Sequence, residues 1–142
     1  MKVFILALIV FIGSAVIVEA RSPESVTLRV GEKKSVDKGK LKISFLKVVE
    51  DSRCPTGATC IWAGNAKIRL SISIGRSDAK IIELNSNLDP QSIVAYGYEI
   101  KFGMLAPPPG ESGNGKPAAD VATILVQKSF KKTPARLSKP VS

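Results

Sequence analysis

Two thiols carry the most chemistry in this chain, and there is no histidine to assist them. Cys54 and Cys60 are six positions apart, with Pro55 and Gly57 between them, a pattern that suits a reversal of direction. Three chemistries are open to such a pair. A redox couple ordinarily uses Cys-x-x-Cys at a helix start, and neither condition is met. A closed zinc site needs further ligands, and two thiolates without histidine make a poor one, so no metal is expected. In an oxidising compartment an even pair forms a disulfide. Such a bridge can do two compatible things: staple the fold, or hold Arg53, Pro55, Thr56, Gly57 and Thr59, with Trp62 just beyond, ready for a partner at little ordering cost. Trp62 is expected to pack across the bridge or cap the core beside it. Gly64 is expected to permit a close backbone approach or a positive φ.

Other catalytic chemistry is thin. Without histidine, Ser-His-Asp and Cys-His catalysis are excluded. Glu50 and Asp51 are the only adjacent acidic pair, and neighbours on a strand point to opposite faces. They read as a strand end with Arg53 as local partner. The glycine-rich stretch Gly110-Glu111-Ser112-Gly113-Asn114-Gly115-Lys116 lacks the spacing and the following helix of a phosphate cradle. No catalytic residue and no cofactor is expected.

The elements that must position the cysteine segment alternate with period two. Val26, Leu28 and Val30 form one run, and Leu41, Ile43 and Phe45 another, with a phase shift at Val48 and Val49 that indicates a bulge or strand end. Ile68, Leu70, Ile72 and Ile74 form the clearest run, and Lys80 to Leu84 a shorter one. Tyr96, Tyr98, Ile100, Phe102 and Met104 share one face, and Ala122, Ile124 and Val126 close the series. Turn signals separate them at 37–40, 75–78 and 85–90. The pattern predicts an all-β fold, an antiparallel sandwich or small barrel of six to eight short strands with one disulfide. The proline-rich stretch 106–117 reads as a long loop.

Residues 1–20 read as a signal peptide: Lys2, an apolar run from Val3 to Val18, and small residues before a cut after Ala20. A retained anchor is the rival reading, although the run is short for a bilayer. Residues 21–127 then form a single all-β domain, and 128–142 a basic tail without acids, read as disordered. The protein is expected in the periplasm or secreted.

Lys2 and Glu19 cancel, so residues 21–142 keep the whole +9. That charge favours anionic glycan or lipid surfaces, with nucleic acid an unsuitable partner for an exported protein. Arg29, Lys42, Lys67, Arg69 and Lys101 fall on the polar sides of their strands and make a basic face if those strands are neighbours.

Ser52-Arg53-Cys54-Pro55 followed by Cys60-Ile61-Trp62-Ala63-Gly64-Asn65-Ala66 resembles a Ser-Arg-Cys-Pro…Cys-x-Trp-Ala-Gly-x-Ala signature of small exported bacterial proteins of uncharacterised function. The resemblance extends from Tyr98 through the proline loop to Ala122–Val126. It implies an exported single domain and transfers no activity. Many members are lipid-anchored through a cysteine that this chain lacks. The expectation from the sequence is therefore a non-enzymatic binding module contacting an anionic envelope component or a protein. The alternative is a hydrolase inhibitor acting through the disulfide loop.

Overall fold

The computed structural model describes residues 21–113, 116–117 and 119–130. The expected signal peptide lies outside them, as does the expected tail beyond Phe130. The fold is an antiparallel β-sandwich, which resolves the choice left open between sandwich and barrel. Its strands are β1 (Glu24–Arg29), β2 (Lys33–Val36), β3 (Leu41–Asp51), β4 (Ala66–Ile74), β5 (Lys80–Asn85), β6 (Ser92–Ala95), β7 (Tyr98–Ala106), β8 (Ser112–Gly113), β9 (Lys116–Pro117) and β10 (Val121–Lys128). One sheet has the order β1-β10-β7-β6, the other β2-β3-β4-β5. The chain crosses between them at β1–β2 and again at β5–β6.

Alternation places the core. Ala66, Ile68, Leu70 and Ile72 of β4 are buried, while Lys67, Arg69, Ser71 and Ser73 are partly exposed. Leu41, Ile43 and Phe45 of β3 meet Leu28, Ile100 and Ile124 from the facing sheet, all fully buried. Each such side chain contributes about 1.5–3 kcal/mol relative to exposure. The phase shift read at Val48–Val49 is a real irregularity: the β3–β4 register slips between Phe45 and Lys47 and between Val48 and Glu50.

Three expectations change. The run from Tyr96 to Met104 is not one strand face. Tyr96 and Gly97 form the β6–β7 turn, with φ of 54° and 76°. At the far end, the β7–β10 register slips beside Gly103, leaving Met104 60% exposed and turning Leu105 inward. A bulge of this kind moves all later side chains to the opposite face. The stretch 106–117 is also not wholly loop, because β8 and β9 pair as a two-rung ribbon.

Candidate functional site

The loop 52–65 between β3 and β4 stands at one end of the sandwich, beside loop 86–91 and the proline segment after β7. Cys54 and Cys60 form the disulfide, with Cα atoms 5.9 Å apart. Gly57 takes φ of 82° at the turn of the ring, where a side chain would be strained.

Arg53 is the principal tether. Its guanidinium donates to both carboxylate oxygens of Asp51, at 2.8 and 2.7 Å. It also reaches the facing sheet, donating to the carbonyls of Leu105 at 2.5 Å and Pro107 at 2.9 Å. The expected local partnership is therefore present, but Arg53 is consumed in joining the two sheets and is not offered to a partner. Its hydrogen bonds and charge hold the Asp51 carboxyl below the ordinary carboxylate range, and Asp51 in turn raises the Arg53 value. Thr56 is tied as well: its amide donates to the Pro109 carbonyl at 3.2 Å and its hydroxyl to Glu111 at 3.0 Å. Pro55 lies against Gly110.

The base of the loop is closed by a polar network. The Ser52 amide donates to the Asn65 carbonyl at 2.8 Å, and the Asn65 amide donates to the Ser52 hydroxyl at 3.0 Å. These two bonds add one rung beyond the Asp51–Ala66 pair. Buried Asn65 donates to the side chain of buried Asn85 at 2.9 Å and accepts from the Asn87 amide at 3.2 Å. Asn87 donates back to the Gly64 carbonyl. Asn85 donates to the Asp89 carbonyl at 3.2 Å, and the Phe102 amide of β7 donates to Gln91 at 2.9 Å. The chain of contacts thus runs from loop 52–65 through loop 86–91 to the opposite sheet. Among the described residues no buried side-chain polar atom lacks a partner.

Gly64 shows why the loop takes this course. A Cβ there would stand 1.7 Å from the Ser52 carbonyl oxygen. The close-approach reading of this glycine holds, and no side chain fits. Residues 61–63, just before this close approach, are exposed. Trp62 is 66% exposed and Ile61 92% exposed, so Trp62 is not part of the buried core. Leu88, on the loop that Asn87 ties to Gly64, is 58% exposed. Pro55, Thr56, Gly57 and Thr59 are exposed.

The five candidate cations do not form one face. Arg29 and Lys101 belong to the β1-β10-β7-β6 sheet, whereas Lys42, Lys67 and Arg69 belong to the other. Their outward faces point in opposite directions. Arg69 is held by Glu83 at 2.5 Å, and Lys67 lies 4.0 Å from Glu50.

At the opposite end of the sandwich, a cleft of about 250 Å³ is lined by residues including Arg21, Glu24, Lys38 and Tyr98. Its chemistry is internally satisfied. Asp37 accepts from the Tyr98 hydroxyl at 2.6 Å and from Lys128 at 3.1 Å. The Tyr98 hydrogen bond, with Lys128 second, lowers the Asp37 value, and the same bond pushes Tyr98 up to about 12.

Among the described residues no group of three or more potential ligands is placed to hold a metal, and no helix is long and apolar enough to cross a membrane. The sequence reading missed Asn65, Asn85 and Asn87 as a network, although the Asn85-Ser86-Asn87 cluster did mark a turn. It also missed Ile61 and Leu88 as exposed apolar groups.

Fold and site together define an all-β, disulfide-stapled sandwich with an apolar loop end. Comparison with protein-family models, curated proteins and solved structures finds no match to this chain.

Proposed function

We propose that this chain is an exported, non-enzymatic binding domain whose recognition surface is the loop end of the sandwich, with a protein as its partner. The observation that carries this reading is the exposure of Ile61 and Trp62 between two fixed points, the Cys54–Cys60 bridge and the Gly64–Asn65 network. Exposed tryptophan on a braced loop loses little conformational freedom on binding, and tryptophan is enriched where interfaces concentrate their energy. Arg53, Asn65, Asn85 and Asn87 around it are engaged in the fold, and the Glu50–Asp51 acids face Lys67 and Arg53, an arrangement suited to support and not to proton transfer.

A second reading, inhibition of an extracellular or periplasmic hydrolase, draws on the disulfide ring itself. Its tip is braced from beneath by Pro109 and Glu111, as an element that enters a cleft without reordering should be.

Affinity isolation from the cell envelope, with rising salt, tests the main reading when wild type and Trp62→Ala are run together. A partner retained by wild type through high salt and lost with Trp62→Ala supports it. Partners that elute at moderate salt, or that ignore the substitution, contradict it. Inhibition of a hydrolase in a defined panel, lost on reduction of the bridge, would select the second reading.

A further inference from the structure

The β-register creates a surface that the sequence reading did not assemble. On the outer face of the β2-β3-β4-β5 sheet, Lys42 stands between Ser35 on β2 and Ser73 on β4. In the next row, Lys33 is paired with Ser44, which is paired with Ser71. Beyond the β3 irregularity, Lys47 is directly opposite Arg69.

The acids nearby are already committed. Glu83 holds Arg69 and Glu50 lies by Lys67, so among the described residues Lys33, Lys42 and Lys47 have no ion-pair partner. Lys47 stands opposite Arg69, whose charge Glu83 already offsets, so the uncompensated charge at that position is that of Lys47. Lys42 and Lys47 both lie on β3 with Lys33 on the adjoining strand, which makes the cationic area a strip along one strand and not a broad plane. Serine hydroxyls between the cations can donate to ester or hydroxyl oxygens.

We propose that this strip binds an extended anionic glycan, a chain carrying sulfate or phosphate esters laid along β3. Lys33, Lys42 and Lys47 supply the charge, and Ser44 and Ser71 the short hydrogen bonds between them. A linear polyanion matches a strip one strand wide, whereas a lipid surface would engage a plane. This surface is separate from the loop end, and its ligand is independent of any partner held there.

The test uses the protein from Arg21 onward, which contains the whole sandwich, with dextran sulfate as probe and neutral dextran as blank. Replacing Lys33, Lys42 and Lys47 together by Gln should weaken binding at least tenfold at low salt. It should also flatten the slope of log affinity against log salt by about two to three, the number of ionic contacts removed. Replacing Lys131, Lys132 and Arg136 by Gln removes the same charge from the tail and should cost less than threefold. Ser44→Ala with Ser71→Ala should cost a further few-fold without altering the salt slope. Equal losses from the two charge sets would overturn the proposal, because net charge alone would then explain binding. Strong binding to anionic phosphatidylglycerol vesicles with none to dextran sulfate would overturn the choice of ligand.

Discussion

The loop end and the outer face of the β2–β5 sheet use polar side chains in opposite ways. At the loop end Arg53, Asn65 and Asn85 are turned into the structure and bonded there, and three large apolar side chains, Ile61, Trp62 and Leu88, stand outside beside small polar groups such as Thr56 and Thr59. On the sheet face β3 and β4 turn most of their apolar side chains into the core, and Lys33, Lys42 and Lys47 remain outside without acidic partners among the described residues, with Ile81 exposed beside Ser71. Polarity in this molecule is therefore a poor guide to function by itself. Arg53, Asn65, Asn85 and Asn87 are structural, and the proposed recognition feature is the one that water disfavours. On the sheet face β3 and β4 follow the ordinary rule of apolar inside and charged outside, and what distinguishes the face is lysine charge without an acidic partner among the described residues.

The comparison breaks most directly at Gly64. Gly64→Ala forces a Cβ into the Ser52 carbonyl and should cost about 4 kcal/mol or more, or prevent folding of the loop end. Chemical denaturation measures this, and a near-native midpoint would show that the loop is not fixed as described. Asn65→Ala strands the side-chain carbonyl of Asn85 and the amide of Asn87, and should cost about 2–4 kcal/mol by the same measurement. Cys54→Ser opens a ring of about seven residues and should cost about 2.4 kcal/mol on the chain-entropy view. The glycan affinity of the sheet face should be unchanged in that variant, which separates the two surfaces.

A smaller effect sharpens the role of Arg53. Because the folded-state Asp51 value is lowered, the folded protein binds that proton less readily than the unfolded chain. Its stabilising contribution is complete above the ordinary value of about 3.8 and is lost as pH falls through the depressed folded value. Asp51→Asn should be less stable than wild type at neutral pH by about 1 kcal/mol, with the gap closing in acid. A gap that persists unchanged at low pH would mean that the carboxylate charge is not what Arg53 reads.

How much of this was legible depended on whether the deciding contact was local. Alternation at Ile68–Ile74 and Leu41–Phe45 predicted strands and their buried face, because period two is intrinsic to the pleat. β2 and β6 were not legible: each is only four residues long with a single buried residue, Val36 and Ala95, too short for an alternation to show. The slip beside Gly103 depends on β10 and leaves no mark in β7 alone. The Cys54–Cys60 pairing and the Asp51–Arg53 contact were legible because both partners are close in sequence. Arg53's second task, holding Leu105 and Pro107, joins residues more than fifty positions apart and was not. Trp62 was misread because a large aromatic is usually buried, and that tendency runs one way only.

Trp62 is the only tryptophan in the chain, so its fluorescence reports the loop end without interference from another indole. Steady-state emission, acrylamide quenching and anisotropy of the folded protein, compared with the same protein in denaturant, provide the most direct measurement. A folded-state emission as red as that of the unfolded chain, open to the quencher but with higher anisotropy, is the expected result: a ring in water on a held loop. A blue-shifted emission protected from acrylamide would place the ring in the core and contradict the loop end as a recognition surface.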